Sequence, residues 1–219
     1  GSLPAGSAGH YDLVARAMAA AHHDRDEALG DPDFVSVPTE SLMSKSRATE
    51  WAKRIRDGWL PGGRIGEPPS CTTHLSVWDA AGNCVSVTHT LGTGAGVVTP
   101  GLGFNWNNAM KLFDMRPGRA NSMAPGKART TGMVPTIVYK DDEPWLIVGA
   151  PGGSVIISAV LTTIINAIDF GMSAVEAVSF PRIHCEGGPV FCEARVQGDV
   201  YAGGMGLVAA CDMAVSVDS

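Results

Sequence analysis

Aromatic residues make up only 6% of the 219 positions and charged residues only 17%. The formal net charge is −6, so nothing electrostatic favours nucleic acid or an anionic membrane surface as a partner. Cysteine is sparse. Cys71, Cys84, Cys185, Cys192 and Cys211 are an odd count without a repeated spacing, which excludes a disulfide framework. No Cys-x-x-Cys or His-x3-His spacing accompanies His184, Cys185 and Cys192, so these read as core or edge residues and no metal is expected. His22 and His23 are adjacent on a helical stretch, face different ways, and read as a solvated pair. No basic segment followed by an apolar one opens the chain, so no secretion signal is read, and cytoplasm and export both stay open. The most apolar stretch follows Gly153. It is short and interrupted by Ser158, Thr162, Thr163, Asn166 and Asp169, so no membrane span is expected.

What the chain does have is 45% hydrophobic residues, ample for one core or two small ones, and 27 glycines suited to tight turns. Two alternating runs, Thr72–Asp79 and Cys84–Leu91, flank Ala80-Ala81-Gly82-Asn83 and predict a β-hairpin. Leu75 and Val77 share one face, as do Val85, Val87 and Leu91 on the returning strand. With Ala81-Gly82 as a two-residue loop, Thr72 falls opposite Leu91 and beside Thr90. A threonine at the head of a strand becomes a nucleophile with its own base once its amide nitrogen is released. The α-amine has a pKa near 8 and lies within reach of its own hydroxyl.

Farther along, Gly149-Ala150-Pro151-Gly152-Gly153-Ser154 joins a strand to an apolar helix that ends at Phe170 before Gly171. Backbone N–H groups and a helix dipole converging on one point are what an oxyanion hole needs. The rest of the chain reads as connecting structure. A helix is expected over His10–Leu29, facing the core with Leu13, Val14, Ala17, Ala21 and Leu29. A second is expected from an N-cap at Thr39 to Gly58, packing Leu42, Met43, Ala48, Ala52 and Ile55. Residues 59–71 read as an irregular linker. The Gly-rich run from Gly92 to Val98 opens no helix, which argues against a dinucleotide site. A second hairpin is expected from Met133–Lys140 and Trp145–Gly149 around Asp141-Asp142-Glu143-Pro144. Ser173 and Glu176 form a capping box on a short helix closed by Pro181.

The run Thr72-Thr73-His74-Leu75-Ser76-Val77-Trp78-Asp79, with Gly82-Asn83-Cys84-Val85, resembles the opening of the small subunit in the γ-glutamyltransferase family of N-terminal-nucleophile hydrolases. The Gly30-Asp31-Pro32-Asp33-Phe34 turn, Asn107-Asn108-Ala109-Met110, Arg116-Pro117-Gly118, Pro151-Gly152-Gly153-Ser154 and Arg182-Ile183-His184 also resemble that family. The resemblance spans roughly residues 10–196 and fades from Gln197 onward. It implies an α+β fold, a four-layer αββα sandwich that this chain contains whole or in part. Residues 1–71 would be the end of a large-subunit-like segment plus linker, and 72–219 a small-subunit-like domain. It also implies self-cleavage between Cys71 and Thr72, a Thr72 nucleophile, Thr90 hydrogen-bonded to it, and Gly152 and Gly153 as oxyanion donors. Thr131, Gly132, Asn107 and Asn108 would contact substrate, a small-molecule amide or peptide. No cofactor is implied. A remaining large-subunit segment or second chain would be a partner, and a truncated, inert relative is the alternative.

Three departures stand out. Most of the large subunit, with the arginine that binds the substrate α-carboxylate, is missing. Leu112, Ala109 and Gly92 replace the polar residues expected around the substrate α-amino group, and an unpartnered ammonium in a closed site costs several kcal/mol. Thr131-Gly132 also retains only one of a pair of hydroxyls.

Overall fold

A computed structural model describes residues 3–59, 62 and 72–193. Cys71, most of the expected linker and everything after residue 193 lie outside the described residues. Helix α1 (Ala8–Ala28) begins at Ser7, whose hydroxyl accepts from the His10 N–H. Its buried stripe is Ala15, Met18, Ala19 and His22, which packs with Ile183 and Cys185. The expected face was turned: Leu13, Ala17 and Ala21 are exposed, because small residues on the other stripe permit the closer approach. The histidines are also not a solvated pair, since His22 is buried with its ring 6.0 Å from that of His184.

The expected second helix is two. Helix α2 (Thr39–Leu42) is a single turn with Thr39 inside it, and α3 (Lys45–Arg56) starts afresh at Ser44, which accepts from the Arg47 N–H. Met43, Ala48 and Ala52 are exposed; Trp51 is the buried residue. Its indole N–H donates to Asp24 of α1 at 2.8 Å, and Trp59 packs edge-on against it with ring centroids 4.8 Å apart. Trp59 therefore belongs to the packed structure and not to a linker.

Strands β1 (Thr72–Trp78) and β2 (Cys84–Thr90) form the first hairpin, with Thr72 paired to Thr90 and Val77 to Val85. The register is one residue from the expected one. Asp79 accepts from the N–H groups of Ala81 and Asn83 and from the Asn83 amide, and Gly82 takes φ +85°, giving a three-residue loop. Thr72 consequently faces Thr90 directly. The inward face carries Thr72, His74, Ser76, Ser86, Thr88 and Thr90, whereas Leu75, Val77, Val85 and Val87 lie on the exposed face.

The second hairpin, β3 (Thr136–Lys140) and β4 (Glu143–Val148), turns at Asp141-Asp142 alone, both with positive φ (53° and 65°). This is the two-residue primed turn whose twist suits a hairpin. It lies against the first, β2 touching β3 and β4. A third ladder joins β5 (Ile183–His184) to β6 (Phe191–Cys192), so the described strands form three two-stranded ladders in an α+β arrangement.

Helix α4 (Val155–Asp169) ends at Gly171, φ +64°. Its Ile156, Ala159 and Val160 form a core with Val148 and Ala150, each large aliphatic side chain contributing about 1.5–3 kcal/mol on burial. Helix α5 (Ala174–Ser179) carries the Ser173–Glu176 capping box, both hydrogen bonds present. No helix among the described residues is long and apolar enough to cross a membrane.

The Asp141-Asp142 turn holds two residues with side chains in the left-handed region, each costing about 1 kcal/mol. Replacing the pair with Asn-Gly (Asp141→Asn, Asp142→Gly) should raise stability by roughly 0.5 kcal/mol after the entropy cost of glycine. Urea denaturation checks this; a lower midpoint would contradict the assigned turn.

Candidate active site

The inward face of the first hairpin ends in a cavity of about 440 Å³. Thr72, Thr90 and Gly92 form one wall, with Ala109, Lys111 and Leu112 of the 3-10 turn Ala109–Leu112 beside them. The loop segment Arg129, Thr131, Gly132 and Met133 forms another wall, and Gly153, Ser154, Ile156 and Ile157 at the start of α4 a third. Arg25 of α1 and Glu186 complete it.

Thr72 Oγ donates to Thr90 Oγ at 3.0 Å, and the Gly92 N–H donates to the same Thr90 oxygen at 2.9 Å. Thr90 thus orients the Thr72 hydroxyl. Gly152 and Gly153 take φ +134° and +66°, values that side chains rarely tolerate. Neither of their N–H groups has an acceptor among the described residues. They lead into the N-terminus of a 15-residue helix, where positive potential is expected. Gly153 lines the cavity, and Gly152 adjoins it in the chain.

Two contacts fix this loop against the hairpin. The buried His74 ring sits 2.9 Å from both Thr88 Oγ and Ser76 Oγ, and a Cβ on Gly149 would fall 2.1 Å from its Cε1. Ser86 Oγ also donates to the Val148 carbonyl at 3.5 Å. On the far side, Ser158 Oγ lies 2.6 Å from His184 Nδ1, and His184 Nε2 lies 3.0 Å from Glu186, which also bonds Ser154. Burial would raise the Glu186 pKa, but hydrogen bonds from His184 and Ser154 and the nearby His22 outweigh it and hold it at about 2. Glu186 is an anion under all ordinary conditions.

Of the residues expected at the site, Thr72, Thr90, Gly153, Thr131 and Gly132 meet at the cavity. Asn107 and Asn108 do not line it. Asn107 accepts from the Ala109 N–H, and Asn108 bonds the backbone N–H and the hydroxyl of Thr93, closing the loop over Gly92. A Cβ at Gly92 would meet Asn108 Oδ1 at 2.3 Å, and the backbone there is at φ +67°, so a side chain at this position would have to displace Asn108. The replaced positions Gly92, Ala109 and Leu112 all lie on the cavity wall. Arg25, Lys111, Arg129 and Glu186 were not foreseen; they come from separate segments and carry no local motif. No group of three or more potential metal ligands occurs among the described residues.

Comparison with known proteins adds to this geometry. The sequence matches the family described as gamma-glutamyltranspeptidase over residues 2–203. It is 40% identical over 198 residues to the glutathione hydrolase proenzyme of Escherichia coli K12, covering 82% of this chain and 34% of the relative. It is 41% identical over 206 residues to the acylase ACY 1 proenzyme of Pseudomonas sp. strain V22, covering 91% and 37%. The solved structure of cephalosporin acylase from Bacillus halodurans aligns with a TM-score of 0.70 at 31% identity, covering 81% of this chain and 33% of that one. That of gamma-glutamyltranspeptidase from Pseudomonas nitroreducens complexed with L-DON gives 0.54 at 34% identity, covering 63% and 78%. The chain spans about a third of the length of the proenzymes it matches.

A methyl group at Gly149 has to displace the His74 ring, so Gly149→Ala should cost about 1–3 kcal/mol in urea denaturation. A cost near zero would contradict the packing. Burial lowers the pKa of both His22 and His74 below 6.5. The unfolded chain then takes up protons that the folded chain refuses, so stability should fall as pH drops below about 6.5. Glu186 adds a further loss as pH falls from about 4.5 toward 2. Midpoints measured between pH 7.5 and 5.5 should decline less steeply in His74→Gln than in the unaltered protein; equal slopes would contradict the His74 assignment.

Proposed function

The chain belongs to the gamma-glutamyltranspeptidase family, and on that premise we propose that it supplies the nucleophile of a self-cleaving N-terminal-threonine amidohydrolase or acyltransferase. The observation that carries this reading is the Thr72 hydroxyl, hydrogen-bonded to Thr90 in a cavity that Gly153 also lines. Cleavage between Cys71 and Thr72 releases the Thr72 amine. Thr72 Oγ attacks an amide carbonyl while that amine takes the hydroxyl proton. The developing oxyanion is held by the N–H groups of Gly152 and Gly153. The same amine returns the proton to the leaving nitrogen as the C–N bond breaks, leaving an ester on Thr72. Water or an acceptor amine then attacks the ester and regenerates the hydroxyl.

Thr72 would stand between the two sheets of a four-layer αββα sandwich completed by further large-subunit-like sequence or a second chain. Residues 1–71 would end that large-subunit part, and 72–219 form the small-subunit part. The substrate is a small-molecule amide or peptide, γ-glutamyl or related. Gly92, Ala109 and Leu112 offer no side-chain acceptor for an α-ammonium, which favours a related acyl group lacking one.

Intact mass and N-terminal sequencing of the full-length precursor test the reading. Two fragments should appear, one ending at Cys71 and one beginning at Thr72. Thr72→Ala should abolish the cut, and Thr90→Ala should slow both the cut and amide turnover by at least about tenfold. A chain that stays intact under all conditions and turns over no amide would leave an inert relative serving as an assembly partner.

A further inference from the structure

We propose that Arg129 holds a carboxylate of the substrate's acyl group, an assignment that rests on the function proposed above. Arg129 lines the cavity that contains Thr72 and is partly buried. No carboxylate pairs with it among the described residues, whereas Arg25, Arg47, Arg116, Arg119 and Arg182 each face one. Desolvation pushes its guanidinium below the usual arginine range. A guanidinium withdrawn from water without a counter-charge is costly, and an anionic ligand removes that cost.

The side chain is also held in place. Its Nη1 donates to the Thr130 carbonyl at 2.9 Å, which occupies one of five donors. The loop is pinned on either side: the Ala128 N–H donates to Asp31 at 2.6 Å and the Thr130 N–H to Asn121 at 3.1 Å. Asn121 donates in turn to the Leu112 carbonyl at 2.7 Å, tying the Arg129 loop to the opposite wall. The fork is therefore positioned before any ligand arrives, as recognition of a planar carboxylate requires.

Among the described residues lining the cavity, Arg25 and Lys111 are also basic, and the one carboxylate, Glu186, is engaged by His184 and Ser154. A volume of about 440 Å³ accommodates a short acyl chain between Thr72 and a terminal carboxylate.

The test has a binding arm and a kinetic arm, both on the full-length protein. In the binding arm, glutarate is titrated calorimetrically into the uncleaved Thr72→Ala chain and into the same chain carrying Arg129→Met. Affinity should fall about 10- to 100-fold on removing the guanidinium, with Arg129→Lys recovering part of it. Equal affinity in both chains, or no binding to either, overturns the assignment. In the kinetic arm, the mature enzyme is given the p-nitroanilides of glutarate and of its methyl ester. The ratio of kcat/KM, acid over ester, should fall about 10- to 100-fold in Arg129→Met, mainly through KM. An unchanged ratio overturns the proposal. If neither anilide is cleaved by the unaltered enzyme, the amidohydrolase reading fails while the calorimetry still decides the anion site.

Discussion

The absence of a side chain at Gly149 is the constraint on which the site depends. It lets the His74 imidazole lie flush against the end of β4, while Thr88 and Ser76 hold both ring nitrogens. His74 is two residues from Thr72 on the same face of β1, and Gly149 is three residues before Gly152. One contact therefore couples the strand that carries the hydroxyl to the loop that carries the Gly152 and Gly153 amides. The inward face of the hairpin is polar for this reason: hydroxyls and an imidazole satisfy one another there. On the other side of the loop, the Ser158–His184–Glu186–Ser154 chain anchors the start of α4.

The chemical character of the cavity follows from what surrounds this scaffold. Leu112, Ala109 and Gly92 bring no side-chain carboxylate or amide to the cavity, whereas Arg25, Lys111 and Arg129 bring basic side chains. An ammonium facing Leu112 would meet no acceptor among these three side chains, whereas a carboxylate near Arg129 would meet a guanidinium. Relatives at similar identity carry the names glutathione hydrolase and acylase.

Much of this was legible in local sequence pattern. The alternation around Gly82, the double glycine before an apolar helix and the Ser173–Glu176 capping box are short-range signals, and each element formed as expected. The errors came from interactions that pattern does not encode. The Asp79 side chain organises a three-residue loop and shifts the register by one, bringing Thr90 opposite Thr72. Ser44 restarts a helix that periodicity would have run through. The buried face of α1 was set by its fit to Ile183 and Cys185, far along the chain, and His22 went inward with it. The charged residues of the cavity come from four distant segments, so no window of sequence contains them. Asn107 and Asn108 were legible as special residues, but Asn108 holds the loop over Gly92 and Asn107 caps the Ala109 N–H, and neither lines the cavity.

Whether Thr72 carries the acyl group during turnover is read by peptide mapping with mass spectrometry. The mature full-length enzyme is quenched in acid while hydrolysing an amide, then digested. The acyl mass should appear on the peptide that begins at Thr72, localised to its hydroxyl and lost on brief alkaline treatment, as an ester requires. An acyl group on any other residue, or turnover with no adduct at Thr72 under conditions that trap esters, would contradict it.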